Sequence, residues 1–199
     1  MSSVTVRPAT AVDGPGVVRT LRRSFAADPF VAWLTAGRAG AAERYFEMVF
    51  HRLTLPHDGV WATGDLHSVA LWAPPGAWEP SLGEWLRLLP TVARIVGPLR
   101  LGEVSRGVSQ VERARPRPPW ALLVLLGTDP EAWGQGMASA VLRPMLERCD
   151  REALPAVLDI YVESNLSFYR RRGFEVTTEH VLPRGPRGWS MVRQPVAAG

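Results

Sequence analysis

The chain has no lysine: all 23 of its Lys-or-Arg positions are arginine, set against 19 Asp and Glu, which leaves a formal net charge of +4 and a pI near 10.1. An arginine-only basic set reads as a GC-rich coding bias more than as a nucleic-acid footprint. Its small clusters, Arg22-Arg23, Arg113 to Arg117 and Arg170 to Arg172, lack the interleaved aromatics by which single strands are bound. They are expected on solvated faces, with no nucleic acid as partner. The one cysteine, Cys149, can form neither an intramolecular disulfide nor a cysteine cluster, so a reducing cytoplasm is the default location. Four histidines scattered without carboxylate spacing make no metal site. No apolar run approaches the roughly 20 residues that span a bilayer, and nothing marks export, so no membrane association is expected. Repeats and low-complexity tracts are missing as well.

What remains is a chain of 199 residues with 46% hydrophobic content, enough for one compact domain, as a monomer or homodimer. Val4 to Arg7 alternates like a strand, and Thr10-Ala11-Val12-Asp13 is a capping-box pattern opening a helix to about Ala27. Its apolar stripe is Val17, Val18, Leu21 and Phe25, opposite Arg19, Arg22 and Arg23, and Asp28-Pro29 stops it. Phe30 to Leu34 reads as a short helix and Ala41 to Leu55 as a longer one, directing Tyr45, Phe46, Val49 and Phe50 inward. Val60 to Thr63 and Ser68 to Trp72 form a hairpin around Gly64-Asp65. Leu82 to Val96 and Leu101 to Val111 are apolar at helical period and are expected to form a variable helical insertion near 80–113.

The proline-rich stretch from Arg115 to Pro119 reads as a linker, since prolines cannot donate to a ladder. It leads into Trp120 to Leu126, a continuous apolar run expected to be a strand buried on both faces. An amphipathic helix from Met137 to Glu152 and a buried strand from Ala156 to Tyr161 complete a parallel crossover unit. Ser164 to Arg172 is a short helix ended by Gly173. Phe174 to Val181 and Trp189 to Arg193 close the chain as a hairpin.

The segment carrying the clearest chemistry is Trp133-Gly134-Gln135-Gly136-Met137-Ala138. A strand, a short glycine loop and then a helix place several unpaired backbone amides around one small concavity, an arrangement that binds phosphate. Glycine lets the anion approach the backbone, and Ala138 keeps the first helical turn close to it. An ordinary strand-to-helix turn is the other reading of a glycine pair in this place.

Together with Leu126-Gly127-Thr128-Asp129-Pro130 and the run from Asn165 through Tyr169 to Gly173-Phe174, this loop resembles the GNAT acetyltransferase superfamily in order and spacing. Arg7-Pro8-Ala9-Thr10, Ser24-Phe25 and Asp28-Pro29 are similar to its opening strand and helix, and Gly185 to Trp189 with Met191 to its closing hairpin. Within the superfamily the likeness is to puromycin N-acetyltransferase-like proteins. The resemblance implies a mixed α/β fold whose central sheet is splayed in the middle and flanked by helices. It implies acetyl-CoA as co-substrate, wedged between the Trp120 to Thr128 and Ala156 to Tyr161 strands, and no metal. Pantetheine amides would pair with the backbone at Leu126 and Thr128, and the pyrophosphate would meet Gly134, Gln135, Gly136, Met137, Ala138 and Ser139. Asn165 would hold the pantetheine arm, although an asparagine there is equally suited to capping a helix. The acetyl oxygen would meet a backbone amide near Leu125 and Leu126.

In the mechanism the resemblance implies, a primary amine attacks the thioester directly and Tyr169 protonates the departing sulfur; a packed aromatic is the alternative reading of Tyr169. Two departures stand out. Trp133 occupies the place where glutamine or arginine usually opens the loop, and the central strand offers only Leu122 to Leu126 where many relatives carry a glutamate base. Candidate bases elsewhere are Asp28, Asp159, His57 and His180. A carboxylate on the buried strand needs a partner or a role, which makes Asp159 a catalytic candidate. Asp28, Trp33 and Trp189 are candidate acceptor-binding residues, and Trp72, Trp78 and Trp85 share the choice between pocket wall and core. The function expected is acetylation of a small-molecule amine, antibiotic-like or aminoacylated. The alternatives are a degenerate domain that binds CoA without turnover and a protein N-acetyltransferase.

Overall fold

The computed structural model describes residues 4–78 and 82–196. Seven strands, β1 (Val6–Pro8), β2 (Val60–Thr63), β3 (Ser68–Ala73), β4 (Ala121–Thr128), β5 (Ala156–Ile160), β6 (Glu175–Val181) and β7 (Arg187–Arg193), form one sheet in the order β1-β2-β3-β4-β5-β7-β6. All neighbours are antiparallel except β4 and β5, the pair joined by a helical crossover. The fold is the expected one, a mixed α/β sheet flanked by helices and parted at its middle.

Two local features part it. Along β4, Leu125 pairs with Leu71 and Leu123 with Trp72, so Val124 is an extra residue with no partner on β3. Such a bulge bends the strand and increases its twist. On the other side β4 meets β5 only over Ala121 to Leu123, although both strands run on. Beyond Leu123 the upper half of β4 therefore has no neighbour toward β5. This corrects the expectation of a strand buried on both faces: Val124, Leu126 and Thr128 are half-buried.

The alternation of β3 and β4 assigns residues to two packed faces. Val69, Leu71 and Leu125 join Val17, Val18 and Leu21 of α1 (Gly14–Ser24) and Phe46 of α3 (Ala41–Met48), followed by Val49 and Phe50. Ala70, Trp72 and Leu123 join Val141, Leu142, Met145 and Cys149 of α6 (Met137–Arg151), with Tyr169 of α7 (Leu166–Arg170). A third cluster unites Trp33 and Leu34 of α2 (Pro29–Thr35) with Ile95 of α4 (Leu82–Val96) and Val104 and Val111 of α5 (Leu101–Ala114). The two helices expected near 80–113 are present as α4 and α5; residues 79–81 lie outside the described residues.

Several boundaries differ from expectation. The strand expected from Val4 begins at Val6. Helix α1 ends at Ser24 because the chain turns there, Asp28 N donating to Phe25 O at 3.1 Å, which frees the Asp28 carboxylate to accept from Val31 N at 2.9 Å and cap α2. The helix expected to run to Leu55 widens into a π-turn segment at Val49–Thr54, where the Thr54 hydroxyl donates back to Val49 O and Phe50 O at 3.0 and 3.3 Å.

The C-terminal strand is tied to α6 by a bidentate pair, Arg193 to Asp150 at 2.7 and 2.8 Å, while Val196 N donates to the same carboxylate. These contacts hold the Asp150 carboxyl below its usual range, the Arg193 hydrogen bond being the main cause. Asp150→Ala leaves the buried guanidinium of Arg193 uncompensated and is expected to cost about 3 kcal/mol in denaturant unfolding at neutral pH. Because the folded pKa is depressed, the contribution is full above the ordinary carboxylate range near pH 4 and is lost as pH falls through the folded value. The gap between wild type and variant should therefore close in acid.

Candidate active site

In a strand, successive backbone N–H and C=O pairs point to opposite sides within the sheet. Asp129 N donates to His67 O at 2.8 Å, on the β3 side. Thr128 thus faces the gap, and so does Leu126 two residues earlier. The Thr128 N–H already meets Ser24 Oγ at 3.2 Å, and its carbonyl accepts from the Trp133 indole at 2.9 Å. Gly127 permits the first contact, since a Cβ there would lie 2.9 Å from Leu21 and 3.3 Å from Ser24. The backbone at Thr128 that was expected to receive a ligand's amides is held by two side chains of the chain itself.

After a 3-10 turn at Pro130–Ala132, the loop reaches Gly134 and Gly136 with φ of +78° and +77°, in the left-handed region. A Cβ on either would meet nothing within 4 Å, so both glycines border open space. Gly136 is the N-cap of α6 and has no side chain to cap it, and the first amides of α6, at Met137, Ala138 and Ser139, have no intrahelical acceptor. An open, glycine-lined helix start suits a phosphate group in charge and in space. Gln135 is exposed at its rim. Arg172, which stacks on Phe168 at 3.5 Å, donates to the Ser139 hydroxyl and places a guanidinium at the first turn of α6. Trp133 itself is 65% exposed.

Where β4 and β5 part lies a cavity of about 160 Å³. The backbone run Leu122 to Leu126 forms one wall and Leu158 to Tyr161 another. Asn165 and Tyr169 close it from the α7 side; Phe25, Asp28, Phe30 and Tyr45 close it from the α1–α2 side, and α5 contributes Val108 and Val111. The Asn165 side chain makes no cap bond to α7, leaving it exposed at the cavity. Tyr169 is buried, its ring edge-on to Phe168 and Phe174 with centroids 5.1 and 5.8 Å away. Burial pushes its phenol well above the usual range, so it holds its proton.

Of the four candidate bases, Asp28 and Asp159 line the cavity and His57 and His180 do not. Asp28 lines the cavity, where burial raises its carboxyl against the opposing hydrogen bonds from Val31 and Phe30. Asp159 also lines it but has partners: Oδ2 accepts from Arg115 Nη2 at 2.6 Å and Oδ1 from the Ser190 hydroxyl at 2.6 Å. The partner that its burial required is Arg115. His57 sits exposed in a 3-10 turn beyond α3. His180 is buried outside the cavity lining, both ring nitrogens without a partner among the described residues, its pKa lowered first by desolvation.

Of the tryptophans, Trp33 is packed in the third cluster with its indole donating to Pro183 O at 3.0 Å, and Trp189 is buried on β7 in the α6 face. Neither lines the cavity, because Phe30 and Tyr161, stacked at 4.7 Å, stand on that wall instead. Trp72 is fully buried, Trp85 half exposed, and Trp78 does reach the cavity. Sequence reasoning missed Arg115, Tyr161 and Ser24 as site residues. Arg115 lay in a linker, Tyr161 at a strand's end and Ser24 within a helix, and only the fold brings them to the gap.

The model of the acetyltransferase (GNAT) family matches residues 47–174, well over half of the chain. Among solved structures, that of the histone acetyltransferase HPA2 and related acetyltransferase from Corynebacterium glutamicum is 23% identical, with 99% of each chain covered and a TM-score of 0.71. The polyamine N-acetyltransferase of Drosophila melanogaster is 13% identical over 96% of this chain and 100% of its own, and arylalkylamine N-acetyltransferase 2 of Aedes aegypti 16% over 97% and 99%, both with TM-scores of 0.69. The sheet parted beyond Leu123, the open glycine loop before α6 and the family match over the segment that contains both lead to one conclusion: the chain belongs to the GNAT acetyltransferase family.

Proposed function

We propose that the protein transfers the acetyl group of acetyl-CoA to a primary amine of a small molecule, in the cytoplasm. The observation that carries the reading is the presence together of an open, uncapped helix start at Gly134 to Ser139 and a cavity, lined by Tyr169, where β4 and β5 part. Acetyl-CoA supplies the thioester that the amine nitrogen attacks with loss of the thiol. Main-chain amides of the loop take the pyrophosphate, and Asn165 takes the pantetheine arm. Asp28 receives the ammonium form of the acceptor; it lines the cavity, and its raised pKa suits proton acceptance. Tyr169 gives its proton to the departing sulfur. The aromatic wall of Phe25, Phe30, Tyr45 and Tyr161 favours an apolar or aromatic acceptor, as an antibiotic-like or aminoacylated compound would be.

Titration calorimetry with acetyl-CoA and thiol release over a panel of primary amines test the reading. No heat at millimolar acetyl-CoA overturns it. Binding without release from any amine supports a module that binds CoA without turnover, a reading favoured by the hold of Ser24 and Trp133 on Thr128. Trp133→Gln removes the indole from the Thr128 carbonyl. It should tighten acetyl-CoA about threefold, the worth of one recovered hydrogen bond.

A further inference from the structure

The proline-rich segment after α5 places a cation where the fold has no internal use for all of it. Arg115 is the C-cap residue of α5, in extended backbone before Pro116. Its side chain is only 9% exposed, and its guanidinium lies over the Trp78 and Trp120 rings, 5.9 and 5.6 Å from their centroids. Nε and Nη2 both donate to Asp159 Oδ2, at 3.3 and 2.6 Å. Ser190 donates to the other oxygen of Asp159, so both oxygens of the carboxylate are engaged. Nη1 is buried with no partner among the described residues, and Arg115 lines the cavity between β4 and β5.

A buried donor left without an acceptor is rare and calls for one. Three charged side chains line this cavity, one cation and two carboxylates: Arg115 is balanced by Asp159, and Asp28 is left as the net charge. The site therefore offers a carboxylate for an ammonium and, elsewhere on its wall, a donor whose charge is already neutralised. A ligand oxygen that carries no charge suits that donor; a free carboxylate would face the excess negative charge of Asp28.

We propose that Arg115 Nη1 reads a neutral carbonyl oxygen of the acceptor, so that the protein selects primary amines bearing an amide or ester carbonyl over plain amines and over free amino acids. Asp159 acts through Arg115 as a positioning residue, holding Nε and Nη2 and leaving Nη1 unpaired on a residue that lines the cavity. Trp78 and Trp120 flank it and restrict its rotation. The proposal rests on the cavity being the acceptor site of the proposed transferase, but its test does not need turnover.

The experiment is calorimetric binding of phenylalaninamide, β-homophenylalaninamide, phenylalanine and phenethylamine, with and without CoA. The two amides differ by one carbon in the separation of amine and carbonyl. At least one of them should bind about tenfold or more tighter than phenethylamine, as expected for a hydrogen bond from a charged donor, and tighter than phenylalanine. Arg115→Lys keeps a cation beside Asp159 but lacks the second arm, and should bring the amide-to-amine affinity ratio close to one. Arg115→Met is the second variant, read by the same ratio wherever its thermal unfolding shows it folded. Equal affinity of amides and phenethylamine in the wild type, no binding of either amide at millimolar concentration, or a ratio unchanged in Arg115→Lys overturns the proposal. Thiol release is measured separately. Amide selectivity without release refutes the transferase and leaves the subsite standing; release without selectivity does the reverse.

Discussion

Tyr169→Phe should lower kcat by about a hundredfold or more while leaving the affinity for acetyl-CoA unchanged. The substitution removes one oxygen and keeps the ring, which is fixed edge-on against Phe168 and Phe174, so packing on the α6 face is retained. What is lost is the proton donor at the α7 side of the cavity, needed only when the thiol departs and not when the co-substrate binds. Burial raises the phenol above its ordinary value near 10, so the sign is clear: the protonated, competent form persists to higher pH than for a free tyrosine. Wild-type kcat should therefore show no alkaline fall between about pH 8 and pH 10. Steady-state kinetics at saturating acetyl-CoA measure both. A phenylalanine variant within a few-fold of the wild type would show that sulfur departs without Tyr169, and a fall in kcat beginning near pH 8 would assign the limb to another group.

The elements around the cofactor loop were legible because local rules govern them. Strand, glycine turn and helix between Ala121 and Arg151 are set by an apolar run, a positive-φ loop and a 3.6-residue stripe, all read within one short window. The opening of the sheet was anticipated from family resemblance alone, since the bulge at Val124 and the early end of β4–β5 pairing are properties of register between distant segments. The acceptor side was the least legible. Asp159 invited suspicion as a lone buried carboxylate, yet its partner Arg115 is 44 residues away in a segment that reads as a solvated linker. Trp33 and Trp189 were drawn toward the pocket by composition, whereas their neighbours across the fold make them core. The departure at Trp133 also changed meaning. In sequence it stands where glutamine or arginine usually opens the loop, and the structure adds an indole on the Thr128 carbonyl, a contact that a ligand's amide has to displace.

Gly136→Val should raise the Kd for acetyl-CoA by about a hundredfold or more, with only a modest loss of stability. The left-handed backbone at Gly136, φ +77°, disfavours a β-branched residue by about 1–2 kcal/mol, a small part of the stability of a folded domain. No neighbour would resist the new side chain, because a Cβ there meets nothing within 4 Å. The cost falls instead on the ligand. Valine would fill the space through which a phosphate reaches the first amides of α6, and each lost charge-assisted hydrogen bond is worth about 1.5–3 kcal/mol. Two such bonds suffice for the expected loss. Binding and thermal unfolding measured on the same preparation separate the two effects. If affinity survives in a folded Gly136→Val variant, the loop is an ordinary turn and the co-substrate is held elsewhere. If affinity collapses while unfolding shifts by only a few degrees, the open space at the start of α6 is the phosphate site, and the gap beside Thr128 is where the rest of the molecule must lie.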